Sequence, residues 1–475
     1  TAIMHELLCY YPKQSDRTKE WLGQIIATAE DGLIRNVAEK VLTWVDIGII
    51  AVVSPEVKPI SMAGGMANVA GEMPAALSES GLKVYVISPL YSYGETITGS
   101  YVERRYTKDE TIKEFGIKYF DVIPEVYMGR HGFTQAAIAY AHIEGVDHLL
   151  LDNPDYTDAV YGRIRGNTTD SSQKVTKEHE ELRSIFLSLG ALEAIKLMNI
   201  HPTMIISNDW MCAPLIAHLN SQRSIYKNDP HFRNVVPIFW SHNNGQDYQF
   251  KIPRYADGVD LLSNLGLPEE DYGWFLDPHH GDLINFTAAA IRHAQYVVAV
   301  SPGQMMDYLK GDDKGGGEGL CHLFRWKHSE DRLFGIANGL FLRERQRNWL
   351  GTSMFDVDRN NREEVIRVIK QIRALKEESG DIIANKHPEF WQSSYGRSND
   401  LGENRFVVIL ASRFTEQKGI SYVVELMRRV LSRRPDVSFI CAGAGEANVM
   451  NKMMGLVRDF PGRVGYPNGS VSNKD

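Results

Sequence analysis

Arg413 and Lys418 stand five residues apart, with Gly419 directly after the lysine, in the segment Ala411-Ser412-Arg413-Phe414-Thr415-Glu416-Gln417-Lys418-Gly419-Ile420. The apolar run 406–410 precedes them and reads as a buried strand; a helix-period stretch begins at Tyr422. Two cations and a glycine at the carboxyl end of a strand suit a diphosphate. Ligands of open α/β sheets sit at that edge, and helix N-termini add oriented N–H groups. Ala442-Gly443-Ala444-Gly445-Glu446, after the apolar run 437–441, reads as another glycine-rich turn at the same kind of edge.

Gly64 and Gly65 lie between the apolar run 48–53 and a helix-like stretch over 67–80. Paired glycines let backbone approach a phosphate closely; the plain alternative is a turn that needs glycine for its dihedrals. His242, in Trp240-Ser241-His242-Asn243-Asn244-Gly245, closes another apolar strand. Its imidazole can hydrogen-bond a ligand hydroxyl or a developing charge, or serve a structural bond. Asp209 is placed to cap a helix. Asp277-Pro278-His279-His280-Gly281-Asp282 invites a metal reading. Adjacent histidines rarely converge on one ion from an extended segment, and spacing supplies no third ligand, so no metal is expected.

These groups need a scaffold that brings strand ends together. Short apolar runs at 48–53, 84–87, 149–151, 204–206, 235–239 and 296–300 alternate with longer amphipathic stretches. Leu182, Ile185, Phe186, Leu189, Leu192 and Ile195 recur with helical period, which predicts one apolar helix face. The pattern predicts an α/β fold with mainly parallel sheets. Residues 1–46 read as a lead segment or linker from an upstream module, 47–345 as a first Rossmann-like domain, 346–403 as a connection with an amphipathic helix, and 404–475 as the start of a second. The last is about half the length such a sheet needs to close its core, so the chain is expected to be part of a longer multidomain protein.

Of the 475 residues 43% are apolar, enough for a sizeable core. A net charge of −8 and a pI of about 6.0 argue against nucleic acid or an acidic membrane as partner. Four dispersed cysteines fit a reducing compartment, and no apolar run has membrane-span length. A cytoplasmic location is expected, or a plastid if a transit peptide was removed.

The segment at Ser412 to Gly419 resembles the S-R-x-x-x-Q-K-G loop of bacterial glycogen synthases and plant starch synthases, glycosyltransferase family 5. The resemblance extends over residues 47–465. Ser54, Glu56, Pro59, Gly64, Gly65 and Val69 match the family's S-x-E-x-x-P-x-x-K-T-G-G-L-x-D-V motif, while Met62 stands where that motif has lysine and Asn68 where it has aspartate. Trp240 to Asn243 is similar to T-I-H-N. Asp209 and Trp210 match H-D-W-H, with Met211 in place of its last histidine. Gly335 to Leu340 is similar to G-I-L-N-G-I-D, with Phe341 at the aspartate. Asn285 to Pro302 resembles a further, mainly structural block, and Ala442 to Glu446 a G-x-G-D/E turn.

The resemblance implies a GT-B fold, two Rossmann-like domains facing a cleft, and retaining transfer of glucose from ADP- or UDP-glucose to an α-glucan without a cofactor. It implies that Arg413 and Lys418 hold the leaving diphosphate, that Gly64, Gly65, Asn243, Asn338, Gly443 and Gly445 meet the nucleotide sugar, that His242 addresses the sugar, and that Asn68, Asp209 and Trp210 line the acceptor side. An acidic E-P-C-G-type segment of the family would lie beyond residue 475. Two rivals stand beside this reading. One is a non-catalytic glycosyltransferase-like module that binds glucan or scaffolds a larger enzyme, which the losses at Met62, Met211 and Phe341 favour. The other is a different GT-B enzyme, such as a transferase of another sugar or a hexosamine epimerase.

Overall fold

A computed structural model describes residues 15–28, 32, 35, 49–62, 64–98, 101–159, 176–245, 248–311, 317–339, 361–368, 370–371, 406–412, 414–443 and 445–466. They form two compact units. One holds the described residues up to Gly94 together with Tyr106–Gly339; the other holds Glu95–Arg105 and the described residues beyond 340.

Ile49–Val53 (β1) is β-branched at every position but Ala51, and Ala51, Val52 and Val53 are wholly buried. A parallel strand covered on both faces needs apolar side chains in both pleat directions, so such runs become strands. The others are Lys83–Pro89 (β2), Tyr93–Thr98 (β3), Tyr101–Thr107 (β4), Lys118–Tyr127 (β5), Phe133–Ile143 (β6), Val146–Asp152 (β7), Met204–Asn208 (β8), Val236–Ser241 (β9), Lys251–Pro253 (β10), Tyr255–Ala256 (β11), Val259–Asp260 (β12), Leu283–Asn285 (β13), Tyr296–Ala299 (β14) and Leu333–Gly335 (β15). Nine of these make one sheet in the order β15-β14-β9-β8-β1-β2-β7-β6-β5. Pairing is parallel from β15 to β7 and antiparallel for β7-β6-β5.

The helices of this unit are Ser15–Thr28 (α1), ahead of β1, then Gly65–Glu79 (α2), Lys108–Phe115 (α3), Lys177–Leu197 (α4), Ala213–Asn220 (α5), Phe286–His293 (α6), Pro302–Tyr308 (α7) and Cys321–Ser329 (α8). Side chains alternate across a strand. Ala51 and Val53 therefore enter a cluster with α4, α5 and α6, whereas Ile50 and Val52 enter another with Val69, Ala70 and Ala75 of α2. The expected single apolar face on α4 is too narrow. Ile185, Phe186, Leu187, Leu189 and Ala191 are all buried, as are Ser184 and Ser188, whose hydroxyls donate to the Met211 carbonyl at 2.8 and 3.2 Å. Truncating Leu189 to Ala would cost about 2–5 kcal/mol.

The second unit contains Phe406–Ala411 (β16), Ile420–Arg433 (α9), Val437–Ala442 (β17), Ala447–Asp459 (α10) and Val464–Gly465 (β18). Its strands pair in parallel in the order β16-β17-β18. Ile420, Val424, Met427 and Leu431 bury one stripe of α9 against Phe439, Cys441 and residues of α10. Of the amphipathic helix expected around Val365, residues 362–368 are helical; its continuation lies outside the described residues.

Candidate active site

β1 has β2 on one side and β8 on the other. Connections leaving the strands on either side of such a point diverge, and the carboxyl ends bound a crevice. The loops after β1, β8 and β9 all emerge at this edge.

The loop after β1 is held from within. Ser54 Oγ donates to the Glu56 carbonyl at 2.6 Å and Tyr91 donates to the Pro55 carbonyl at 2.6 Å. Glu56, buried, accepts the Gly64 N–H on its Oε2 at 2.9 Å. This carboxylate sets the glycine pair at the start of α2. Gly64 is extended (φ −157°), a conformation open to any residue, and a Cβ on Gly65 would meet nothing within 4 Å. The glycines are thus not required by dihedrals or packing, contrary to the plain alternative for this turn. Gly64 and Gly65 are exposed at the start of α2 while Met66 and Ala67 behind them are buried, and that turn has no acidic side chain of its own and no side-chain cap. Free N–H groups and the positive end of the helix dipole favour an anion there. Met62 brings no charge, and Lys58 is paired with Glu72 at 3.3 Å.

Asp209 follows β8 at φ 53°, ψ −174°. A non-glycine residue in that region is strained by about 1–3 kcal/mol. The expected helix cap is not made; instead the carboxylate accepts the backbone N–H of His242 at 2.8 Å and that of Asn243. Burial pushes Asp209 up to about 7, with Glu56 adding to the rise and the two N–H bonds opposing it. His242 is pushed down to about 3 by burial, so the imidazole is neutral at physiological pH. Its Nε2 lies 2.8 Å from Asn208 Oδ1, and its ring stacks along Trp240 with centroids 6.2 Å apart. The structure therefore brings together Gly64, Gly65, Asp209, His242 and Asn243 through the loops of neighbouring strands.

Other predicted residues have partners of their own or lie on other elements. Trp210 stacks face to face on Phe250 at 4.0 Å, part of the core more than of an open surface. Asn243 Oδ1 accepts the Gly245 N–H at 2.9 Å. Asn68 is half-buried in the first turns of α2. Asn338 is exposed beyond β15, with its backbone N–H on the Val300 carbonyl. Asp277 accepts the N–H groups of His279 and His280 and pairs with Lys251 at 3.2 Å. Asn208 and Glu56 carry roles that the sequence reading did not assign. A polar residue closing an apolar strand is the signal that marks Asn208.

In the second unit Lys418 is exposed, with its side chain in no ion pair among the described residues, and its N–H bonds Thr415 Oγ1 at 3.3 Å. Gly419 adopts φ 67° and opens α9. Gly443 and Gly445 let two loops touch. A Cβ on Gly443 would lie 1.9 Å from the Ser412 carbonyl, and one on Gly445 2.2 Å from that of Phe414. Arg413 and Phe341 lie outside the described residues.

Residues 49–325 match the family model described as Starch synthase catalytic domain. The chain is 24% identical over 432 residues to granule-bound starch synthase 1 of Zea mays, covering 87% of this chain and 62% of that protein. It is likewise 24% identical to the glycogen synthase of Petrotoga mobilis, covering 87% and 72%. The chain thus spans less than two thirds of the length of the plant relative. The catalytic domain of starch synthase IV from Arabidopsis thaliana, bound to ADP and acarbose, superposes with a TM-score of 0.60 at 21% identity, covering 88% of this chain and 73% of that one. This likeness gives the fold: mixed α/β of the GT-B type.

Proposed function

The chain belongs to the starch synthase catalytic domain family, and from that premise we propose that it is a retaining glucosyltransferase that elongates an α-glucan from ADP- or UDP-glucose. The observation that carries this reading is the exposed pair Gly64 and Gly65 opening α2 without a side-chain cap, together with a neutral His242. Departure of the nucleotide diphosphate is the demanding step. Preorganised N–H groups and cations that meet the developing charge lower such barriers by several kcal/mol, roughly. Gly64 and Gly65 admit a phosphate to backbone N–H groups, and Arg413 and Lys418 supply positive charge to the diphosphate. His242 addresses the sugar. Asn338, Asn243, Gly443 and Gly445 border the donor, while Asn68, Asp209 and Trp210 stand toward the acceptor. The donor is a substrate, and no cofactor or metal enters the proposal.

A glucan acceptor follows from the family, as do the cytoplasm or a plastid as the place of action; among the described residues no helix is long and apolar enough to cross a membrane. The test is titration of the protein with ADP-glucose and UDP-glucose, followed by a glucan-elongation assay. Binding and elongation with one of them support the reading. Failure of both donors to bind at millimolar concentration overturns it.

A further inference from the structure

We propose that Asn208 is a positioning residue that locks His242 as its Nε2–H tautomer and so presents a bare Nδ1 lone pair to the ligand. The argument starts from a backbone carbonyl. Val53, the last residue of β1, accepts from Asn208 Nδ2 at 3.0 Å. A carbonyl can only accept, so the amide nitrogen must face Val53 and the amide oxygen must face the other way. That oxygen meets His242 Nε2 at 2.8 Å. Nε2 must then carry the proton, and in a neutral ring Nδ1 is left as an acceptor. Asn208 is wholly buried, so both ends of its amide are fixed by the strand order β9-β8-β1 and water does not compete. Nδ1 has no hydrogen-bond partner among the described residues, and the ring is held along Trp240.

The consequence selects between two partners for His242. A lone pair accepts from a hydroxyl and repels a phosphate or an anionic leaving oxygen. His242 therefore meets a hydroxyl of the sugar and takes no part in holding the diphosphate. This deepens the reading above and rests on it only for the identity of the ligand.

The test is NMR of the protein carrying 15N-histidine, with the His242 signals assigned by their loss in His242→Gln. A protonated-nitrogen shift at Nε2 and a lone-pair shift at Nδ1 in the free protein support the lock; the reverse tautomer overturns it. Asn208→Leu should lose this tautomer preference and lower kcat/KM by roughly tenfold. Asn208→Asp keeps an acceptor opposite Nε2 and should keep the tautomer, which covers the case that Asn208→Leu does not fold. An unchanged tautomer in a folded Asn208→Leu overturns the role. ADP-glucose should move the Nδ1 signal while ADP alone leaves it in place; an equal shift with ADP overturns the hydroxyl contact. Binding of neither donor overturns the transferase reading and the hydroxyl contact together, while the free-protein spectrum decides the lock by itself.

Discussion

The Asp209 carboxylate accepts the backbone N–H of His242 at 2.8 Å, so the loop leaving β8 fixes the loop leaving β9. The strained Asp209 backbone is what aims that carboxylate. Asp209→Ala should free the His242 loop and lower turnover by roughly tenfold or more, through lost positioning. ADP affinity, measured by calorimetry, should change far less than kcat.

The glycine pair separates binding from folding. Gly65→Ala adds a Cβ that touches no protein atom within 4 Å, at the first position of a helix where alanine is well tolerated. The unfolding midpoint should hold or rise slightly. Donor affinity should fall by roughly tenfold, because the methyl group keeps a phosphate from the backbone N–H groups. A calorimetric titration beside a thermal melt checks both.

Met62 and Lys58 make a contrasting pair. A lysine at position 62 would add a cation two residues before the exposed Gly64, so Met62→Lys should raise kcat/KM by roughly one order of magnitude. Lys58 is engaged by Glu72, so Lys58→Met should leave kcat/KM within about twofold. Steady-state rates of both variants on the same donor decide the matter.

Glu181 gives a pH prediction away from the site. It is wholly buried, its Oε2 accepts from Asn264 at 3.0 Å, and burial pushes its pKa up to about 8 from 4.5. The folded chain holds this proton where the unfolded chain has lost it. The contribution to stability is therefore full below about 4.5 and is lost as pH rises through about 8. Glu181→Gln should unfold later than the parent protein at pH 9 and show a flatter dependence of midpoint on pH between 5 and 9, in denaturant titrations.

Much of the scaffold was legible because parallel strands covered on both faces must be apolar throughout. The runs at 48–53, 204–206 and 235–239 stand out for that reason, as does the helix-period stretch from Tyr422. The antiparallel edge was not. In β5, Lys118, Tyr119, Phe120, Asp121 and Val122 are exposed in succession, and its register shifts between Tyr119 and Asp121 and again between Ile123 and Val126, so no alternation survives to be read. At the site, the residue types at Gly64, Gly65, Asp209 and His242 were visible. What Asn208 does was hidden, since its partners are 155 residues upstream and 34 downstream. The stacking of Trp210, which the resemblance puts on the acceptor side, against Phe250 was also hidden, a contact that only the tertiary fold creates.

Calorimetric titration of ADP-glucose and UDP-glucose into the protein and into Lys418→Ala and Arg413→Ala, each paired with a glucan-elongation assay, bears most directly on the transferase account. The account predicts that either substitution weakens the bound donor by about a hundredfold and abolishes elongation, as loss of a charge-assisted bond to phosphate should. Unchanged affinity and turnover in both variants would contradict it.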